Sequence, residues 1–219
     1  MTKPRKYNLL CPISRALDRV GDRWALLILR DLHAGPARFK DLQTGLTGIA
    51  TNLLTDRLRQ LIDDGLIERR DGDHGVTLYA LTKVGEKSRQ LLFELALFGG
   101  QFPADESPRK PGNLRTIAVT LSAAIERVMT SDTCIHVAFI VDEEHYVLTV
   151  KNGDVTMQAG KIDTPDVTFE TEYEAMLAAS DGQMSLETFT KQHTKIHEHT
   201  KGKQNEFLLL LASAMTQFA

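Results

Sequence analysis

Only two cysteines, Cys11 and Cys134, occur in 219 residues, so no disulfide framework or cysteine metal motif organises this chain. No apolar run approaches the roughly 18 residues that span a bilayer. Lys3, Arg5 and Lys6 at the start are followed by no hydrophobic region that would make a signal peptide. Also missing are a glycine-rich phosphate loop, a nucleophile elbow and a paired-carboxylate arrangement, and Asp142, Glu143 and Glu144 read as a solvated turn. These absences predict a cytoplasmic protein that is not an enzyme, needs no cofactor and does not enter a membrane.

What is present is 42% hydrophobic and 25% charged, the balance of a globular protein, in a chain long enough for two modest domains. The net charge of −3 conceals an asymmetry. Through Pro103, 16 Lys and Arg face 12 Asp and Glu (+4); beyond it 10 face 17 (−7). Only the first part suits a polyanion.

Residues 38–82 carry the most information. Phe39, Leu42 and Leu46 lie a helical turn apart, and after Gly48 the residues Leu54, Leu58, Leu61 and Ile62 repeat the same spacing, so two short amphipathic helices meet at a tight corner. The second turns Asn52, Asp56, Arg59 and Asp63 away from its apolar stripe, with Thr51 and Thr55 at its leading end. Such a face suits the edges of bases, and an ordinary solvated helix fits the same pattern. Gly65 is a helix stop. Residues 66–70 and 76–82 are β-prone runs separated by Asp71, Gly72, Asp73, His74 and Gly75, a hairpin directly behind the helix, as in a winged helix. Arg69 and Arg70 on the first wing strand, with Arg38 and Lys40, would hold phosphates.

Ahead of this unit Ile13, Leu17, Val20, Trp24, Leu27 and Ile28 keep helical spacing, broken at Gly21 and Asp22; these helices are expected to pack under it. Behind it, residues 83–98 return to helix. Its stripe of Leu91, Leu92, Leu95 and Phe98 is either core or a surface that needs a partner. Pro103, Pro108 and Pro111 mark residues 103–113 as a linker, dividing the chain into domains 1–102 and 114–219.

The second domain begins with a helix over 114–130. Four β-rich runs follow at 134–141, 145–151, 155–160 and 167–171, then helical pieces at 173–179 and 185–192, a strand at 195–199 and a last helix at 205–218. Asn152 and Gly153 make a tight-hairpin signal. The expected fold class is α+β: a winged helix-turn-helix domain, then an antiparallel sheet covered by helices. Phe207, Leu208, Leu211 and Met215 on the last helix are core or line a cavity. Cys134, at a strand start, reads as core. His193, His197 and His199 share one face if the segment is extended, but no further ligand stands near by spacing, so no metal is expected.

Cys11 and Pro12, the Gly21 to Trp24 run, Gly35 and Pro36, Arg38 and Phe39, the Leu58 to Leu61 run, the Asp64 to Arg69 run, Tyr79, Leu81, Thr82 and Gly85 follow one another in a set order. Through them the segment from Cys11 to about Phe98 resembles the HxlR-type winged-helix transcriptional regulators of bacteria. This implies a homodimer on double-stranded DNA, with Leu91, Leu92, Leu95 and Phe98 at the dimer helix and Thr51, Asn52, Thr55, Asp56 and Arg59 facing bases. The resemblance also makes Cys11 a possible thiol sensor, whose thiolate Lys3, Arg5, Lys6 and Arg15 would favour; a small buried residue positioning the first helix is the alternative. The chain departs from the family at Ala50 and Thr51, where Ser-Pro is usual, so the N-cap role falls to Thr51 or is lost. Its wing is shorter, with Val76 where the family has an arginine.

The second half resembles the sterol carrier protein type 2-like domain through Asn152, Gly153 and Asp154, the Pro165 to Phe169 run, and the Asp181 to Ser185 run. It departs from that pattern from Thr194 to His199. The resemblance implies an apolar tunnel for a small hydrophobic ligand. The combined reading is a dimeric DNA-binding regulator with a small hydrophobic effector. Its rival is a carrier of apolar molecules whose winged helix only dimerises or contacts protein.

Overall fold

The computed structural model describes residues 6–102 and 114–218. The expected linker at 103–113 lies outside the described residues. The chain divides into two compact units, Met1–Ser88 and Arg89–Ala219.

The first unit contains α1 (Pro12–Val20), α2 (Arg23–Leu32), β1 (Ala37–Arg38), α3 (Phe39–Gly45), α4 (Thr51–Asp63), β2 (Ile67–Asp71), β3 (Thr77–Leu81) and α5 (Lys83–Glu86). The break between α1 and α2 is chemical: Asp22 caps α2 by accepting a hydrogen bond from Trp24 N at 2.9 Å. Ile28, Leu29, Leu42, Leu54, Leu58, Leu61 and Ile67 are fully buried and form the core. α4 ends in a Schellman motif, with Gly65 at φ 71°, Leu66 N donating to Leu61 O and Gly65 N donating to Ile62 O. The strands lie in the order β1-β3-β2, all antiparallel, with Ile67 opposite Leu81 and Asp71 opposite Thr77.

Thr82 ties this hairpin to the end of α4. Its hydroxyl donates to Gly65 O at 2.7 Å and accepts from Gly85 N at 3.1 Å, capping α5. Gly85 is required by close approach: a Cβ there would stand 2.0 Å from Leu66 O. One expectation fails. Ile13 and Leu17 are 71% and 43% exposed, so the outer part of the α1 stripe does not pack under the recognition unit.

The second unit takes in α6 (Ser88–Gly100) from its second residue onward. α7 (Thr116–Val128), β4 (Ile135–Val141), β5 (Glu144–Lys151), β6 (Asp154–Ala159), β7 (Val167–Thr171), α8 (Tyr173–Ser180), α9 (Leu186–Gln192), β8 (Thr194–Glu198) and α10 (Lys203–Met215) follow. α6 joins this unit because Phe93 is fully buried and stands edge-on to Phe218, ring centroids 5.3 Å apart. Arg89 Nη1 donates to Val155 O at 2.9 Å, and Arg127 donates to Gln90 Oε1 at 2.9 Å and pairs with Glu94. The division therefore falls at the start of α6, ahead of the segment that composition marked.

The sheet order is β6-β5-β4-β7-β8. The expected antiparallel sheet carries one exception, since β7 inserts beside β4 and pairs with it in parallel, Val137 opposite Val167. Strict alternation buries Ile135, Val137, Phe139 and Val141 on β4, and Tyr146, Leu148 and Val150 on β5. Cys134 is exposed rather than core, because β4 begins one residue later and turns Ile135 inward. No helix among the described residues is long and apolar enough to cross a membrane.

Candidate nucleic-acid interface

All nine residues expected to face DNA are exposed on the first unit: Arg38 and Lys40 at the start of α3, Thr51, Asn52, Thr55, Asp56 and Arg59 on α4, and Arg69 and Arg70 on β2. On α4 the polar row is set by the burial of Leu54, Leu58 and Leu61, since fixing that stripe inward fixes the opposite face outward.

The start of α4 differs from expectation. The N-cap is Ala50, in extended conformation and without a side-chain cap. Thr51 does not take over that role, because it is already the first helical residue; its hydroxyl accepts from Gln43 Nε2 at 2.7 Å. Gln43 was not singled out by the sequence, which shows no periodic relation between it and Thr51 across the turn. The cap residue therefore supplies no acceptor to the first turn of α4, where Leu53 N donates instead to Asn52 Oδ1 at 2.9 Å.

Arg59 Nη1 lies 3.2 Å from Asp56 Oδ1, one turn back on the same exposed face. Arg57 is instead half-buried, 3.0 Å from Asp22 Oδ1 and donating to Gln60 Oε1 at 2.9 Å. Asp22 therefore both caps α2 and holds α4 in place. On the wing, the Arg70 guanidinium pairs with Glu68 at 2.8 Å, and Arg69 lies 5.9 Å from the centre of the Tyr79 ring. The tip carries Asp73 and His74, with Asp71 just before it, so negative charge stands where a longer wing would meet phosphate.

Cys11 is exposed, not buried, and precedes α1 with its carbonyl accepting from Ser14 Oγ at 2.8 Å. Of the cations expected to favour its thiolate, Lys3 and Arg5 lie outside the described residues, and Lys6 and Arg15 are exposed.

In the second unit, α6 splits its stripe. Leu91, Leu95 and Phe98 are 45%, 41% and 63% exposed, whereas Leu92 turns inward beside Phe93 and is core rather than dimer surface. The expected pocket residues divide as well. Phe207 is core, packed on the rings of Phe139 and Phe169. Leu208 and the buried Leu211 border a hollow of about 250 Å³ beside α9. Met215 lines a larger cavity of about 570 Å³, bounded by α6, α7, α8 and α10. Sequence periodicity could not have found it, because α6 was assigned to the other domain.

The three histidines do not share a face. His193 ends α9 and its carbonyl accepts from Thr171 Oγ1 at 2.8 Å, whereas the His197 and His199 rings meet edge-on at 4.5 Å. No group of three metal-binding side chains occurs among the described residues.

A model of the HxlR-like helix-turn-helix matches residues 19–107. An uncharacterized HTH-type transcriptional regulator, sll1512 of Synechocystis sp., is 34% identical over 101 residues, covering 45% of this chain and 74% of that protein. Another, Rv3095 of Mycobacterium tuberculosis, is 37% identical over 99 residues, covering 44% of this chain and 62% of its own length. Among solved structures, PA1607, a putative transcription factor, aligns at 33% identity and a TM-score of 0.43 over 47% of this chain and 72% of that one. The first domain is the helix-turn-helix domain of a transcriptional regulator, and the chain belongs to the HxlR-like helix-turn-helix family.

Proposed function

We propose that the chain is a two-fold dimeric regulator that reads double-stranded DNA with α4 and holds a small hydrophobic effector in its second domain. The observation that carries the DNA part is the exposed row of Thr51, Asn52, Thr55, Asp56 and Arg59 on a helix whose other face is locked by Leu54, Leu58 and Leu61. Asn52, Thr55 and Arg59 read bases in the major groove, while Arg38, Lys40, Arg69 and Arg70 position the protein on phosphates. The acidic wing tip leaves recognition mainly to α4. Leu91, Leu95 and Phe98 support dimerisation through α6, a surface that costs solubility unless a partner covers it. A cytoplasmic location follows from the same role.

The sheet order with its single parallel pair, and the cavity of about 570 Å³, support a sterol carrier protein type 2-like domain and an effector site. That cavity and the acidic wing tip also favour a second reading, in which the protein carries apolar molecules and the winged helix serves dimerisation or protein contact. Titration of the full chain with genomic operator fragments at rising salt separates the two. Affinity that falls steeply with salt and discriminates among sequences fits the regulator; no DNA binding at low salt fits the carrier.

A further inference from the structure

The cavity of the second unit has a polar end of one sign. Its walls are apolar, built from residues such as Leu97, Ile117, Leu121, Leu177 and Phe218. At one end Ser180, Asp181 and Gly182 close α8, and Asp181 is the only charged side chain among the lining residues described. No lysine, arginine or histidine is among them. The last carbonyls of α8 are largely paired, Leu177 O accepting from Asp181 N, Ala178 O from Gln183 N and Ala179 O from Gly182 N, so the negative charge at this end rests on the Asp181 carboxylate, with the remaining helix dipole in the same sense. α6 and α10 also bring their last residues, Gly100 and Met215, to this cavity, against two helix starts, Thr116 of α7 and Tyr173 of α8. Two of the four lining hydroxyl residues reinforce the bias. Thr120 donates to Thr116 O at 3.1 Å and Ser180 donates to Leu177 O at 2.9 Å, so both have spent their hydrogens on carbonyls and offer acceptors to a ligand.

We propose, resting on the effector-binding reading above, that this cavity binds small organic cations: an apolar body packs among α6, α7 and α10 while an ammonium group sits at the end of α8 beside Asp181. The excess of acidic residues beyond Pro103 (17 against 10) favours the same class of ligand over a fatty acid. A volume of about 570 Å³ suits a molecule of drug-like size rather than a long lipid.

Calorimetric titration of the full chain with decylammonium, decanol and decanoate, each below its micellar concentration, tests this. Decylammonium is expected to bind at least tenfold tighter than decanoate, with decanol between. Asp181→Asn should bring decylammonium down to the level of decanol and leave decanol unchanged. Ala96→Trp, which fills the cavity from α6, should abolish binding of all three; Thr120→Phe fills it from α7 if that variant does not fold. Equal affinity for decylammonium and decanoate, or no effect of Asp181→Asn, overturns the charge assignment and leaves an apolar effector site standing. No binding of any probe overturns both. Cation binding that leaves DNA affinity unchanged upholds the inference and removes the regulatory reading.

Discussion

Gln43 Nε2 and Thr51 Oγ1 are joined by a 2.7 Å hydrogen bond that fastens α3 to the first residue of α4 across the turn. The bond braces the turn but does not replace the missing cap: Leu53 N donates to Asn52 Oδ1 at 2.9 Å, while the Ala50 position supplies no side-chain acceptor to the first turn of α4. Ala50→Ser should therefore stabilise the folded chain by about 0.5–2 kcal/mol, the usual worth of an N-cap. Urea unfolding followed by circular dichroism checks it; an unchanged midpoint would mean that the turn cannot present the hydroxyl to α4.

Arg59 and Lys40 should separate base reading from phosphate contact. Arg59→Ala is expected to cost about 1–3 kcal/mol at particular base pairs, whereas Lys40→Ala should weaken all sequences alike and flatten the salt dependence. Equal losses for Arg59→Ala on operator and random DNA would reverse the assignment.

Gly85 lies against the end of α4, where an added methyl would meet Leu66 O at 2.0 Å. Gly85→Ala should destabilise the first unit by about 1–3 kcal/mol or more, through the backbone shift it forces. The fluorescence of Trp24, the sole tryptophan and a buried residue of that unit, reports this directly.

On α6, Leu95→Glu with Phe98→Glu should convert a dimer into a monomer at micromolar concentration, because both side chains are exposed and two carboxylates across a two-fold axis repel. Sedimentation velocity gives the answer, and an unchanged dimer would place the interface elsewhere.

Asp166 offers a pH test. Burial works to raise its pKa, but hydrogen bonds from Thr200 and His136 outweigh that and hold the carboxyl below the usual range. Its Oδ2 accepts from His136 N at 2.8 Å, beside the ends of β4 and β7. A carboxyl whose pKa is lower folded than unfolded contributes stability above the unfolded value, near 4, and loses it as pH falls through the lowered folded value. Stability of the second unit should therefore decline on acidification below about pH 4–5, and Asp166→Asn should flatten part of that decline. An identical acid limb in the variant would exclude Asp166 as its source.

Local pattern revealed the elements to within a few residues, because a strand such as β4 declares itself by alternation and α4 by its leucine spacing. The nine residues it expects to face DNA all lie on exposed positions. Partnership was hidden. Periodicity shows that α6 has an apolar stripe, but not that Leu92 and Phe93 turn into the core of the second unit while Leu91 and Leu95 stay exposed on its surface. The α6 wall of the cavity was hidden for the same reason, since Met215 lines it together with residues more than a hundred positions away. Asp22 and Gln43 show a further limit: a polar side chain that links two helices leaves no repeat to read.

The parallel pairing of β7 with β4 fixes an order of events as the chain leaves the ribosome. β4, β5 and β6 can form their meander as soon as they are made, but β4 then presents one bare edge, with Val137 and Phe139 in the strand behind it, until residues 167–171 have emerged. For that interval the middle of the finished sheet is an open border, the kind of template on which two nascent chains can join. The segment between β6 and β7 is thus where a slowed ribosome would do most harm.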